Sequence, residues 1–160
     1  MNDHDQPTHP PQPSIWKRGG VGALVIVAAV AVAWSVTMAR GGEDQVGWTT
    51  DFTQAQAQAR ESGKPMLLNF TADWCPPCQQ MNSQVYAQVD VAEAIAEHYV
   101  PVKVDLTTVG PEQQRLVERF DAGQSVPTRL IVTPSGETIG RQIGYVSEYE
   151  LLSWLQIEDS

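Results

Sequence analysis

The chain has 160 residues, a formal net charge of −9 and a sequence pI near 4.6. That length holds one domain with an extension, and the acidic balance argues against nucleic acid and against attraction to an anionic membrane surface. Only two cysteines are present, and no internal repeat.

Residues 1–14 are polar and rich in Pro, Gln, His and Asp. Such a composition cannot bury a core and predicts a disordered cytoplasmic tail, in which His4 and His9 are solvated rather than metal ligands. Residues 15–40 predict a transmembrane anchor. Val21 to Ala39 carries no charge, and a helical run of that length at ~1.5 Å per residue spans a bilayer core of ~30 Å. Trp16 and Trp34 suit the two interfaces. Lys17 and Arg18 precede the span, which predicts a cytoplasmic N-terminus and a periplasmic, or at least extracytoplasmic, remainder. The alternative is a cleaved signal peptide, for which Thr37-Met38-Ala39 is an imperfect cleavage site and the apolar run is long. Residues 41–47 read as a linker and 48–160 as a folded domain.

Trp48-Thr49-Thr50-Asp51 offers caps for a helix with Phe52, Ala55, Ala59 and Ser62 at helical spacing, and Gly63 with Pro65 ends it. Met66 to Phe70 is a short, mostly apolar run, read as a central buried strand that delivers the chain to Trp74-Cys75-Pro76-Pro77-Cys78. After Cys78, the residues Met81, Val85 and Val89 give one helical face. Asp90 to Glu93 offers a cap for a second helix running through His98, itself read as an exposed helix-end residue. Val100 to Asp105 alternates as a strand does. Pro111 opens another helix with Leu116, Val117 and Phe120 apolar. Thr128 to Thr133 reads as a strand, Pro134-Ser135-Gly136 as a turn, and Thr138 to Ile143 as its hairpin partner. Ser147 begins a last helix with Leu151, Leu152 and Leu155 inward. Early alternation and a late hairpin predict an α/β fold, a mixed sheet covered by helices on both faces.

The chemistry points to the cysteines. A thiolate is the nucleophile of disulfide exchange, and a helix N-terminus favours it through unpaired N–H groups and the aligned dipole. Pro76 and Pro77 suit such a start, since they lack N–H groups that the first turn leaves unpaired. Cys75 is then expected at the mouth of the helix, with Cys78 one turn on and on the same side. A structural disulfide of this span closes too small a loop to constrain the unfolded chain much. A structural zinc site needs about four ligands, and haem attachment needs a His where Gln79 stands. Redox exchange is the reading that remains.

Ala72-Asp73-Trp74-Cys75-Pro76-Pro77-Cys78 resembles the active-site motif of the thioredoxin superfamily. Trp48 with Asp51-Phe52, Lys64-Pro65, Cys78-Gln79-Gln80-Met81 with Val85-Tyr86, and Tyr99 to Asp105 are similar to the domains grouped with the C-terminal domain of the thiol:disulfide interchange protein DsbD. Val126-Pro127-Thr128 resembles the superfamily's cis-proline loop, and Pro134-Ser135-Gly136 and Gly144-Tyr145 its closing hairpin and following turn. The resemblance implies a thioredoxin fold, with Cys75 as nucleophile, Cys78 as resolving thiol, and a Cys75–Cys78 disulfide when oxidised. It implies that Trp74, Pro76 and Pro77 flank and shape the site, that Val126 offers backbone hydrogen bonds to a bound peptide, and that Pro127 is cis. One departure is Asn69, which stands where many relatives carry a buried carboxylate that helps deprotonate the resolving cysteine; Asp73 is expected at the rim, solvated.

The function expected is membrane-anchored thiol:disulfide exchange with protein substrates, with no cofactor and no metal, by a chain acting as a monomer. Two uncharged prolines between the cysteines favour a reductant or an isomerase partner over a strong oxidant, and the resemblance to DsbD points to the reductant. One span cannot carry electrons across a bilayer, so a membrane electron donor of the DsbD/CcdA type is expected. Two rival readings are a tethered copper carrier, since two thiolates can hold Cu(I), and a non-catalytic thioredoxin-like binding module.

Overall fold

The computed structural model describes residues 42–157. The expected tail, and the expected membrane span at residues 21–39 with its lipid contact, lie outside the described residues. Within them, no helix is long and apolar enough to cross a membrane.

Helix α1 spans Phe52–Ser62 and begins where Asp51 accepts a hydrogen bond from the Gln54 N–H at 2.9 Å. It ends at Gly63 in the left-handed region (φ +76°), whose N–H caps Ala59. Strand β1 (Met66–Thr71) follows and is buried along its whole length, as a strand paired on both sides and covered on both faces must be. Next come the short helix α2 (Pro76–Gln80), a π-helical segment (Met81–Val85), helix α3 (Val89–His98) and strand β2 (Val100–Asp105). Helix α4 (Pro111–Phe120), strands β3 (Thr128–Val132) and β4 (Thr138–Ile143), and helix α5 (Glu148–Ile157) complete the order.

The strands form one sheet in the order β2-β1-β3-β4. β1 runs parallel to β2 and antiparallel to β3, and β3 and β4 form the hairpin. The expected mixed sheet with helices on both faces is what forms. On one face Met66, Leu68, Phe70 and Leu130 pack with Phe52, Ala55 and Ala59 of α1, Leu116 and Phe120 of α4, and both cysteines. On the other, Leu67 and Ile131 pack with Met81, Val85, Tyr86, Val91 and Ile95, and with Leu151 and Leu155 of α5. Leu152 is only partly buried.

Two expectations are corrected. Met81, Val85 and Val89 do not share a face, because Val89 is 59% exposed. The π-helical segment widens the turn, with the Tyr86 N–H reaching back to the Met81 carbonyl at 2.8 Å, so Val85 and Tyr86 both turn inward and the helix stops. α3 then starts at Val89 behind Gln88, and Asp90 falls in its first turn instead of capping it.

The sequence also concealed a clasp on the segment before α1. Thr49 forms a parallel bridge to Val102 beside β2, and Val46 is buried. Asp44 accepts from the Val46 N–H (3.0 Å), Trp48 Nε1 (2.8 Å) and Lys103 Nζ (3.1 Å).

Candidate redox site

β1 ends at Thr71, and the chain turns over Ala72–Cys75, where the Cys75 N–H donates to the Ala72 carbonyl at 3.2 Å. Two side chains hold this turn. Thr107 Oγ1 accepts from the Asp73 N–H at 2.8 Å, and Gln79 Nε2 donates to the Asp73 carbonyl at 2.6 Å. The Asp73 side chain is exposed at the rim. Trp74 projects into solvent, 65% exposed.

Cys75 occupies the N-cap of α2, with extended backbone (φ −101°, ψ 104°), and Pro76 and Pro77 occupy the first turn. The Cys78 N–H points at Cys75 Sγ across 3.2 Å. This is the capping geometry in which a side-chain acceptor satisfies a helix's unpaired donors, here with sulfur as the acceptor. The two sulfurs are bonded to each other, with Cα atoms 5.2 Å apart. Both cysteines are buried, Cys75 with 3% and Cys78 with 1% of its surface accessible.

Facing them is the loop before β3. The Val126–Pro127 peptide is cis, and the Val126 carbonyl oxygen lies 3.5 Å from Cys75 Sγ. The Val126 N–H donates to no described residue. The loop is braced from both ends. Thr128 Oγ1 donates to the Ser125 carbonyl, and the Gly144 N–H donates to the Pro127 carbonyl at 2.8 Å. Thus Trp74, Cys75, Pro76, Pro77 and Cys78 arrive from the end of β1, and Val126 and Pro127 are brought to the same sulfurs from across the sheet.

Among the described residues, no three His, Cys, Asp or Glu side chains gather as a metal ion would require. His98 closes α3, exposed, beside Glu97.

Sequence reasoning passed over Arg129. It sits inside β3 with none of its surface exposed, directly across from Asn69 of β1. Its Nε donates to Gln142 Oε1 at 3.0 Å and its Nη2 to the Gly144 carbonyl at 2.7 Å. The signal was a lone cation in an otherwise apolar strand, which solvent-facing strands also show. Nearby, burial pushes the Tyr86 hydroxyl up to about 12, with the Arg129 charge opposing.

The family of thioredoxin-like domains matches residues 52–157. The chain belongs to that family. Its thioredoxin-like domain carries the disulfide-capable pair Cys75–Cys78 in the setting just described. The chain is 35% identical over 83 residues to the thiol:disulfide interchange protein DsbD 1 of Pseudomonas aeruginosa, covering 52% of this chain but only 14% of that protein. It is 30% identical over 95 residues to DsbD of Actinobacillus pleuropneumoniae, covering 58% of this chain and 16% of that protein. Among solved structures, a thioredoxin from Thermus thermophilus superposes with a TM-score of 0.62 at 29% identity, covering 71% of this chain and 87% of that one. The C-terminal domain of Neisseria meningitidis DsbD in its oxidised form shares the fold, with a TM-score of 0.59 at 24% identity, covering 69% of this chain and 98% of that one.

Proposed function

We propose that the chain is a thiol:disulfide oxidoreductase acting on protein substrates through Cys75 and Cys78. The observation that carries this reading is the position of Cys75 Sγ, at a helix start, 3.2 Å from the Cys78 N–H and 3.5 Å from the Val126 carbonyl. In the reduced protein the same N–H donates to a Cys75 thiolate, and hydrogen bonding to the charged form favours it. The thiolate attacks one sulfur of a substrate disulfide. A Cys75–substrate bond forms, the substrate S–S bond breaks, and its electron pair leaves on the other substrate sulfur. Cys78 then loses its proton to solvent and attacks Cys75 Sγ, which forms the Cys75–Cys78 bond and releases reduced substrate. Two electrons pass from the chain to the substrate. The Val126 N–H, which donates to no described residue, and the neighbouring carbonyl suit a substrate strand laid across the sulfurs, which is recognition by backbone pairing.

The finer reading is a reductant anchored in the membrane with this domain on the extracytoplasmic side, resupplied by a membrane electron donor. Its support is the uncharged run Val21–Ala39 behind Lys17 and Arg18, the uncharged Pro76–Pro77 bridge, and the similarity to DsbD proteins. The chain spans about one seventh of those relatives' length, so in this reading the donor is a separate protein.

The experiment is substrate trapping. Cys75→Ser is expected to abolish exchange, and Cys78→Ser to accumulate a mixed disulfide that mass spectrometry identifies. Normal turnover by Cys78→Ser would refute the two-step scheme. A reduction potential near −120 mV, the strong-oxidant end of the scale, would refute the reductant direction.

A further inference from the structure

A cavity of about 220 Å³ opens beside the cis-proline loop. Ser125 and Thr128, the residues on either side of Val126–Pro127, line it, together with Asp121, Gln124, Arg141 and Ile143. Its volume is below the ~300–1,000 Å³ of a typical small-molecule pocket and suits a single side chain.

The cavity shares a loop and a sheet face with the cysteines. The Val126 carbonyl oxygen lies 3.5 Å from Cys75 Sγ. Side chains alternate along a strand, so Thr128 points to the same face as Leu130. Their cross-strand partners Ile143 and Arg141 share that face. Leu130 belongs to the core cluster that holds Cys75 and Cys78, and Val126 packs against the same cluster.

The two charges lining the cavity differ in what they already hold. Arg141 is committed, with Nη1 donating to the Asp121 carbonyl at 2.9 Å and Nη2 to the Phe120 carbonyl at 2.7 Å. Those bonds set its charge against the negative end of α4. Asp121 caps that end in the left-handed region (φ +46°) and is exposed. Its carboxylate accepts no hydrogen bond and forms no ion pair among the described residues. A carboxylate at a helix C-terminus is also disfavoured by the helix dipole, so a cation beside it is favoured. Ile143 adds an apolar wall that is 56% exposed.

A substrate strand reaches this cavity from the sulfurs. A residue that exchanges both its N–H and its carbonyl with one partner residue forms an antiparallel pair. A strand paired in this way with Val126 runs opposite to the loop. With the substrate cysteine over Cys75, the residues after it pass Ser125 and Gln124 at ~3.4 Å each. The second of them points to the same side as the cysteine.

We propose that the cavity is a substrate subsite for the side chain two residues after the reacting cysteine, and that Asp121 makes lysine or arginine its preferred occupant. The aliphatic stem of such a side chain lies against Ile143 while its charged head meets the carboxylate, as long cationic side chains do at the edge of apolar surface. The inference rests on the exchange reading and adds which substrates suit it. The exchange steps themselves are unchanged.

The test uses the whole 160-residue chain, reduced and solubilised in detergent. The probes are symmetric disulfides of a short glycine- and serine-based peptide with one cysteine, carrying lysine, glutamine or glutamate two residues after it. A further probe carries the lysine two residues before the cysteine. Exchange rates are read by acid quench, alkylation and mass spectrometry. Each is divided by the rate at which dithiothreitol reduces the same peptide, which removes the effect of the lysine on the peptide's own thiol. Wild type is expected to favour lysine over glutamine by about threefold, the scale of one exposed ion pair, and to disfavour glutamate. Lysine before the cysteine should give no such preference. Asp121→Asn keeps the side-chain size and tolerates the left-handed backbone, and is expected to bring the ratio close to one. Gln124→Lys places a cation in the cavity and is expected to reverse the preference. Gln58→Lys makes the same charge change on the exposed surface of α1 and is expected to leave the ratio as in wild type. No lysine preference in wild type, an undiminished one in Asp121→Asn, or an equal loss in Gln124→Lys and Gln58→Lys overturns the subsite while exchange stands. A wild type that reduces none of the peptides overturns the exchange reading, and the subsite falls with it.

Discussion

The N–H of Gly144 donates to the carbonyl oxygen of Pro127 at 2.8 Å. That bond ties the end of β4 to the cis-proline loop, and so to the face against which Cys75 lies. Gly144 makes it with φ at +85°, where a side chain is strained, although a Cβ there would meet no atom within 4 Å. Gly144→Ala is therefore expected to cost about 1 kcal/mol through backbone strain alone. Urea unfolding measures this, and mixed-disulfide formation should slow as the loop loosens. Unchanged stability would mean that the backbone can relax here and that the bond constrains nothing.

Tyr86→Phe should do the opposite. The ring packs edge-on against Trp48 with centroids 5.2 Å apart, and phenylalanine keeps that contact. The hydroxyl is buried with no hydrogen bond of ordinary geometry, and a weak contact with the Arg129 guanidinium only partly offsets its desolvation, so its removal is expected to be neutral to stabilising, by at most about 1 kcal/mol, at pH 7. The alkaline limb gives a second check. The folded hydroxyl titrates near 12 against an ordinary 10.0, so the unfolded chain ionises first. Stability is full below pH 10 and is lost as the pH rises from 10 toward 12. Tyr86→Phe should flatten that loss, and a wild-type slope in the variant would show that Tyr86 titrates normally.

Asp44 makes a third case. It accepts from a backbone N–H, an indole and Lys103 at once, and it is mostly buried, with 16% of its side chain exposed. Asp44→Ala leaves those donors unpaired and is expected to cost about 1–3 kcal/mol. Asp44→Asn should cost less, because it keeps an acceptor for one or two of them. Denaturant unfolding of the two variants decides. If both match wild type, the segment before α1 is not held by this clasp.

The fold was largely legible because its signals are local. The Asp51 cap, the Gly63 stop, the alternation of Val100 to Asp105 and the Pro134–Gly136 turn each specify their own piece of backbone. The motif around Cys75 likewise specified its helix start. What stayed hidden depends on partners distant in sequence. Tyr86 turns inward only because the helix widens at Met81, and Asp44 reads as linker until Lys103 arrives from β2. Arg129 looks like one solvent-facing residue of a strand until β1, β4 and the Gly144 turn close over it. Val89 failed for the converse reason: its spacing was right for an uninterrupted helix, and the helix is interrupted.

The start of α5 carries the last prediction. Ser147 Oγ accepts from the Glu150 N–H at 3.3 Å, and Glu150 Oε2 accepts from the Ser147 N–H at 2.8 Å and its hydroxyl at 2.7 Å, a reciprocal capping box. These hydrogen bonds, the one from the Ser147 N–H foremost, hold the Glu150 carboxyl below its ordinary 4.5. A carboxylate with a depressed folded pKa adds stability that is fully present above its unfolded value and disappears as the pH falls through the lower folded one. Glu150→Gln should therefore melt below wild type at neutral pH, and the gap should close as the pH drops from about 4.5 into the acid range. Glu150 is exposed, so salt should narrow the gap as well. Thermal melts of the pair across that range are the measurement. A gap that persists undiminished in acid would assign the effect to side-chain packing in place of the charged cap, since packing has no reason to follow the proton.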